Sequence, residues 1–301
     1  MIIGDETGLV KCKSHPVLNF QEKNSVRSYG EQAMGKNVRT LLFDEEGCVV
    51  VGRKSGEVDV INDQSKQMRQ LLPPLREEMV GMVVCEGKVA RLLKSGKVMV
   101  EQSTFKADGN LPSHIVSKGS LAAIGSKNMT AQIYDIPQCK QVWKAKNLKK
   151  TGDSLNSELP VYDTKCHWLG ENLLATCTAF NEVRIYDIRT GKRPVRHSQL
   201  NRDTDNSYYP LYAITSSPDS RFIFTGDSIG HIYKLDIGDL RMVGKIKEVN
   251  VGAVRDLQCT GTMLVSCGLD RYVKAYGQET LELQDRALLW QKLNVMLVNS
   301  A

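Results

Sequence analysis

The sequence predicts an all-β protein, a seven-bladed β-propeller closed by pairing its C-terminal strand with its N-terminal blade. Two observations predict this fold: a strand–turn motif recurs along the chain, and each end of the chain supplies part of a blade. Apolar and polar residues alternate in the strands, as in "EVRIYDIRTGKRPV" (182–195), and Gly, Asp and Ser mark the turns. We predict a single propeller domain over residues 1–301.

A strand that ends in a small residue before a polar or glycine-containing turn occurs seven times. The copies are "IIGDETG" (2–8), "VVVGRKSG" (49–56), "ARLLKSG" (90–96), "LAAIGSKNM" (121–129), "LATCTAFNE" (174–182), "FTGDSIG" (224–230) and "VSCGLDR" (265–271). Their turns are about 33 to 53 residues apart, which brackets the period of roughly 40–45 residues of a four-stranded propeller blade. Residues 182–195 are therefore expected to provide one blade's third and fourth strands.

The two ends of the chain complement each other. The first copy has only one short strand before its turn, so the first blade lacks its innermost strand, whereas "KLNVMLV" (292–298) is an apolar strand with no blade of its own. Pairing them builds blade 1 from about residues 1–20 plus 292–298. This closure removes the exposed strand edges that promote aggregation.

The composition is that of a globular protein with a substantial core, at 41% hydrophobic and 25% charged residues. The N-terminus reaches Asp5 without the apolar segment of a signal peptide, so we expect an intracellular protein. The eight cysteines show no C-x-x-C spacing, which predicts free thiols. The net charge of +6 is mild and is compatible with a polyanionic partner.

The sequence shows no convincing catalytic pattern. Its five histidines are scattered, without the spacing of a metal site. "GEQAMGKN" (30–37) imitates a phosphate-binding loop, but Asn37 replaces the Ser or Thr that binds magnesium, and a strand rather than a helix follows. We expect no enzymatic activity, no cofactor and no metal site.

Two basic segments are candidates for binding. "WKAKNLKK" carries Lys144, Lys146, Lys149 and Lys150, and "RPVRHSQLNRD" carries Arg193, Arg196 and Arg202 before Tyr208 and Tyr209. Because blade connections and the seven turns emerge on one face of a propeller, we expect the lysine loop and the Arg202 loop to share that face with five turn residues. These are Arg53, Lys54, Lys94, Lys127 and Arg271. Cations interleaved with aromatic rings suit RNA, although an ordinary solvated face is the alternative.

Beyond these general patterns, several segments follow one another in a distinctive order. They are "VWKAKNLKK", "LPVYDTKCHW", "LLATCTAFNEVRIYDIRTGKRPV", "YYPLYAITSSPDSRFIFTGDSIGHIYKLDI" and "GAVRDLQC…LVSCGLDRYVKAY". In this respect the chain resembles the nucleolar WD-repeat ribosome-assembly family known as Nop-seven-associated protein one or WD repeat-containing protein seventy-four. The similarity is specific over roughly residues 140–276.

The resemblance implies a WD-type propeller in the nucleus and nucleolus that acts as a non-enzymatic scaffold on precursors of the large (60S) ribosomal subunit. It implies contacts with pre-ribosomal RNA and assembly factors, release by a hexameric AAA-type ATPase, and an RNA helicase of the nuclear exosome as a further partner. Outside the particle we expect a monomer with no membrane association. The family's surface positions fall on Lys144, Lys146, Asn147, Arg184, Arg193, Pro194, Tyr209, Pro210, Arg255, Asp270 and Arg271.

Two other classes of function stay open at the level of sequence. A general peptide-binding propeller, acting as a ubiquitin-ligase substrate adaptor or a signalling scaffold, would hold an acidic peptide at the mouth of its central channel. An enzyme is compatible with the fold, since propellers host many functions, but the scarcity of histidine counts against it.

Overall fold

A computed structural model describes residues 1–13, 26–62, 65–101, 103–109, 111–149, 159–200, 209–246 and 252–298. The described residues form 28 strands in seven antiparallel four-stranded sheets, and each sheet is one blade of a propeller. This confirms the predicted fold. Within the described ranges, no helix has the length and apolar character needed to cross a membrane.

The first four blades are built as follows, each from its innermost to its outermost strand. Blade 1 contains β28 (Leu293–Leu297), β1 (Ile2–Asp5), β2 (Val10–Lys13) and β3 (Val26–Tyr29). Blade 2 contains β4 (Val38–Phe43), β5 (Val49–Arg53), β6 (Val58–Asn62) and β7 (Gln67–Leu72). Blade 3 contains β8 (Met79–Cys85), β9 (Lys88–Leu93), β10 (Lys97–Val100) and β11 (Ser103–Lys106). Blade 4 contains β12 (Pro112–Lys118), β13 (Leu121–Ser126), β14 (Met129–Asp135) and β15 (Lys140–Lys144).

The remaining three blades follow the same order. Blade 5 contains β16 (Asp163–Trp168), β17 (Leu173–Thr178), β18 (Glu182–Asp187) and β19 (Arg196–Gln199). Blade 6 contains β20 (Leu211–Ser216), β21 (Phe222–Asp227), β22 (Ile232–Asp236) and β23 (Met242–Ile246). Blade 7 contains β24 (Val254–Thr260), β25 (Met263–Gly268), β26 (Tyr272–Gly277) and β27 (Leu283–Leu288).

The ring closes in blade 1 as predicted, because β28 pairs with β1. Two side chains of blade 7 also hold this strand. Asp256 accepts a hydrogen bond from the Met296 amide at 3.0 Å, and Gln258 bonds both the Met296 carbonyl and the Val298 amide. The sequence prediction ended the N-terminal part of this blade near residue 20, whereas β3 continues it to Tyr29.

The second and third strands of the blades carry most of the apolar core. In β18, Val183 and Ile185 are fully buried and pack with Leu211, Ile214 and Ile223 of blade 6. The core therefore lies between neighbouring blades, as well as within each sheet. All eight cysteines are free thiols, and burial raises the pKa of Cys177 to about 11.

The seven innermost strands share one irregularity. In each, the second residue is an extra residue that has no partner on the neighbouring strand, which is a β-bulge. These bulge residues are Arg39, Val80, Ser113, Thr164, Tyr212, Arg255 and Asn294. They form a ring at one end of a central channel of about 950 Å³, whose walls are the innermost strands.

Candidate RNA- and partner-binding face

The seven turns and the described parts of the blade connections lie on one face, which we call the loop face. Backbone hydrogen bonds join the two sets of loops: the Lys54 amide donates to the Asn37 carbonyl, and the Lys94 amide donates to the Glu78 carbonyl. Lys127 donates to Leu111 and Leu269 to Ala253 in the same way. In blades 2, 3, 4 and 7, hydrogen bonds therefore join the described loops at the mouth of the channel.

The lysine loop begins at the end of the outer strand β15. Lys144 is only partly exposed and forms an ion pair with Asp108 at 3.0 Å. Lys146 and Lys149 are exposed, and among the described residues neither has a carboxylate within ion-pair distance. Lys150 lies outside the described residues. The two exposed lysines are available for an anionic partner.

A second connection reaches the lysine loop from blade 5. Residues 188–195, between β18 and β19, cross to the outer edge of blade 4, where the Lys146 amide donates to the Lys192 carbonyl at 2.6 Å. The Trp143 indole donates to the Gly191 carbonyl at 3.1 Å. Arg193 is exposed beside Lys146 in a shallow depression. We call Lys146, Lys149, Lys192 and Arg193 the rim cluster; it lies at the outer edge of the ring, where the lysine loop of the loop face meets a connection between the third and fourth strands of blade 5.

Three predicted contact residues form bonds within the protein. Arg184 is fully buried and donates to Glu182 at 3.0 and 2.5 Å and to the Asn147 side chain at 3.1 Å. Asn147 also donates to the Leu159 carbonyl, so it fixes the lysine loop. Asp270 accepts bonds from Lys274 and from the Tyr272 amide, which gives it a role in its own turn.

Arg53 differs from its expected place on the surface. Its side chain is 2% exposed, pairs with Asp59 at 2.6 Å and donates to the Gly8 carbonyl of blade 1. The expectation that Arg53 belongs to the exposed part of the loop face is wrong. A buried carboxylate partner six residues away makes it a structural arginine instead.

The other predicted residues occupy different parts of the loop face. Arg271 is exposed in the turn between β25 and β26, and Arg255 lies at the channel mouth. Tyr209 is half-buried just before β20, and Arg202 lies outside the described residues. The predicted residues thus divide between the rim cluster and blade 7.

At the channel mouth, the bulge residues fall into two groups. Ser113, Thr164 and Asn294 donate to backbone carbonyls of the next blade, at Asp163, Leu211 and Val38. By contrast, Arg255 stacks over the Tyr212 ring at 5.7 Å, and Arg39 is exposed. Among the described residues, neither arginine is in ion-pair distance of a carboxylate. Although its side chain reaches solvent, partial desolvation by the surrounding channel walls and the charge of Arg255 lower the pKa of Arg39, while the charge of Glu78 raises it.

Deeper in the channel the charges are neutralised. Lys165 of blade 5 reaches across to pair with Asp256 of blade 7. Burial and the charge of Lys165 lower the pKa of His114 to about 3 and that of His167 to about 4, so both imidazoles are neutral at pH 7. No group of three metal-ligating side chains occurs in the described part of the chain.

The sequence analysis missed Arg39, Tyr212, Lys192 and Trp290 on or beside this face. Arg39 and Tyr212 each occur in an otherwise mainly apolar strand, without a cation or aromatic residue directly beside them in the chain that would mark a binding motif. The β-bulges place both residues at the channel mouth. Trp290 follows the apolar pair Leu288 and Leu289 and reads as a continuation of the core. A tryptophan beside a Lys-containing connection is the signal that could have identified it.

Comparison with known proteins gives relatives that span the whole propeller. WD repeat-containing protein 74 of Mus musculus is 30% identical over 303 residues, which cover 98% of this chain and 70% of the mouse protein. The ribosome biogenesis protein nsa1 of Schizosaccharomyces pombe is 24% identical over 349 residues, covering 99% of this chain and 88% of the yeast protein. No protein-family model matches the chain.

Among solved structures, that of Sqt1 from Saccharomyces cerevisiae superposes with a TM-score of 0.70. The match covers 95% of this chain and 81% of Sqt1 at 16% sequence identity. This likeness concerns the fold alone, and it agrees with a complete propeller ring.

Proposed function

This chain belongs to the family of WD repeat-containing protein 74 and ribosome biogenesis protein Nsa1, and on this basis we propose that it is a non-enzymatic scaffold in assembly of the large ribosomal subunit. It acts in the nucleus and nucleolus, where its loop face docks on pre-ribosomal RNA and assembly factors, and a AAA-type ATPase releases it. The similarity to the ribosome biogenesis protein nsa1 of Schizosaccharomyces pombe supports the role in ribosome biogenesis.

The rim cluster is the observation that carries RNA docking. Four exposed cations from two blades are grouped without a carboxylate in ion-pair distance among the described residues. Their backbone is fixed by the bonds from Lys146 to Lys192 and from Trp143 to Gly191. Cations on a prearranged surface can contact phosphates with little further ordering, which favours binding.

Charge reversal of the lysine loop tests this proposal. Changing Lys144, Lys146, Lys149 and Lys150 together to Glu should leave the propeller folded, because the three described lysines are outside the core. Recruitment to large-subunit precursors should fall sharply. The slope of the logarithm of the RNA-binding constant against the logarithm of the salt concentration should become shallower by about 0.7 for each phosphate contact that is lost. Sedimentation and RNA titration measure the two effects.

A matched control changes Lys66, Lys88, Lys140 and Arg241 to Glu. These exposed residues lie in or directly beside turns on the opposite face, and the change in net charge is the same. Equal loss of recruitment in both variants would attribute the effect to overall charge. Unchanged co-sedimentation of the lysine-loop variant would refute RNA docking through this loop.

The channel mouth favours a second candidate, recognition of an acidic peptide by a propeller that acts as a ubiquitin-ligase adaptor or signalling scaffold. Arg39 and Arg255 are close enough to interact electrostatically, and a carboxylate between them would relieve their repulsion. Under this alternative, Arg39→Gln with Arg255→Gln would abolish recruitment of an acidic partner, and the lysine-loop variant would not.

A further inference from the structure

Trp290 lies in the connection from blade 7 to blade 1, between β27 and β28. Its side chain is 74% exposed, whereas Trp143 is 9% exposed in the core between blades 4 and 5. This exposure leaves most of the apolar surface of the indole in water. Tryptophan residues exposed in this way often anchor a binding partner. The position of Trp290 on the loop face therefore calls for an occupant.

The backbone holds Trp290 in an uncommon conformation. Its φ is +66°, and the Gln291 amide donates to the Leu289 carbonyl at 2.8 Å, which makes Trp290 the centre of a positive-φ γ-turn. This form of γ-turn is rare and strained, and a bulky residue at positive φ adds to the strain. Strained residues persist where the surrounding structure fixes them, and they cluster at functional sites.

Three bonds from two blades fix this turn. The Leu289 amide donates to the Arg271 carbonyl at 2.9 Å, in the last turn of blade 7. The Lys11 ammonium group, from blade 1, donates to the Leu289 carbonyl at 2.9 Å and to the Gln291 side chain at 2.5 Å. The indole is thus presented from a rigid support, so little ordering remains to be done when a partner binds.

Two exposed cations flank the turn that presents the indole, and the half-buried Glu6 is joined to one of them, Lys292, through its backbone amide. Arg271 is joined to the turn by its carbonyl, and Lys292 follows two residues after Trp290; both side chains are exposed. Among the described residues, neither is within ion-pair distance of a carboxylate, and the nearby Asp270 is already paired with Lys274. The cores of protein–protein interfaces are depleted in lysine, although tryptophan and arginine are enriched there, whereas exposed rings flanked by lysine and arginine are typical of single-stranded nucleic-acid binding.

We propose that Trp290 stacks on an unpaired base of RNA while Arg271 and Lys292 contact the flanking phosphates. This inference rests on the proposed docking on RNA and adds a defined contact to it, on blade 7 and away from the rim cluster. Every base offers a face for stacking, so the contact selects unpaired RNA without selecting a sequence.

Binding of a fluorescently labelled single-stranded RNA, followed by anisotropy, tests the contact. Trp290→Ala should weaken binding by about 5- to 100-fold, the range of one base–aromatic stack, and should leave the salt dependence unchanged. Trp290→Phe retains a ring and should restore most of the affinity. Arg271→Gln with Lys292→Gln should instead reduce the salt dependence.

Three further measurements separate stacking from other roles. Trp290→Gly suits the positive φ and should keep the thermal midpoint while losing the same affinity as Trp290→Ala. RNA should quench the tryptophan fluorescence of the wild type but not of Trp290→Phe. A blunt duplex, whose bases are already stacked, should bind the wild type and Trp290→Ala equally.

The outcomes distinguish this inference from the function on which it rests. If Trp290→Ala binds single-stranded RNA like the wild type, the stacking contact is refuted, and RNA docking stands if the lysine-loop variant still loses recruitment. If Trp290→Ala loses a protein partner from ribonuclease-treated complexes while its RNA affinity equals that of the wild type, Trp290 makes a protein contact and the proposal is overturned. A wild type that binds no RNA would refute both.

Discussion

At the scale of single residues, charge in this protein has two separate uses. Arg53 and Arg184 are buried, and each is neutralised by a carboxylate of its own strand region, Asp59 or Glu182. Lys146 and Arg193 are exposed and lack such a partner among the described residues. Sequence alone does not separate these uses. The carboxylates that pair with Arg184 and Arg53 lie two residues before and six residues after them in the chain, respectively, and only the pairing of the strands shows that they are buried with the arginines.

The buried pair gives a prediction for stability. Arg184→Met should destabilise the protein by about 3–5 kcal/mol, because Glu182 would remain buried with only His197, at 3.5 Å, nearby. Adding Glu182→Gln to Arg184→Met should recover part of the loss, since no charge is then left unpaired. Urea unfolding measures both variants, and a loss below about 1 kcal/mol for Arg184→Met would show that the pair contributes little.

At the scale of strands and blades, the alternation of apolar residues decides which side of each strand is buried. In β18, Val183 and Ile185 face the core shared with blade 6, and Tyr186 packs edge-on against Trp143 of blade 4. One blade therefore contributes to the cores on both of its sides. Loss of one strand should affect three consecutive blades.

Val183→Asp or Ile185→Asp should unfold the blade, because both side chains are fully buried and an unpaired charge there is costly. Soluble expression and thermal melting measure the effect. Val195→Asp, the same type of substitution at an exposed position just before β19 in the same blade, is the control and should melt close to the wild type. Normal melting of either core variant would mean that the assigned strand faces are reversed.

The strands and turns could be predicted from sequence because both signals are local. Alternating apolar residues mark β18, and Gly, Asp and Ser mark the turns of all seven blades. The site could be predicted only in part. Residues 188–195 join the lysine loop through bonds between blades, and the bulges at Arg39 and Arg255 are defined by strand register. Neither feature has a local sequence signal.

At the scale of the whole molecule, the channel couples distant blades. Lys165 of blade 5 pairs with Asp256 of blade 7, and Asp256 also holds the closing strand β28 through the Met296 amide. The neutral His114 and His167 lie in the same channel. Electrostatics within the channel therefore influence the stability of the closed ring.

We predict that the protein loses stability between pH 7 and pH 5. The pKa values of His114 and His167 are lowered to about 3 and about 4, so the unfolded chain, with histidine pKa values of about 6.5, binds protons that the folded protein does not. Asp163 opposes this below pH 6, since burial raises its pKa to about 6. The net excess of about one proton in the unfolded state costs roughly 1 kcal/mol per pH unit.

Urea unfolding at pH 7 and pH 5 measures this dependence. His114→Gln with His167→Gln should remove the loss, because the unfolded chain then no longer binds protons at these two positions. Equal or greater stability of the wild type at pH 5 would contradict neutral, proton-excluding histidines in the channel.

Docking of this scaffold on ribosomal precursors through RNA is tested most directly by sedimentation of the tagged protein from nuclear extract on a sucrose gradient. The gradient is run with and without ribonuclease treatment of the extract. We predict migration with precursors of the large subunit and collapse of that peak after ribonuclease treatment. Migration as a free monomer, or in a small complex that resists ribonuclease, would contradict it and favour the peptide-binding adaptor.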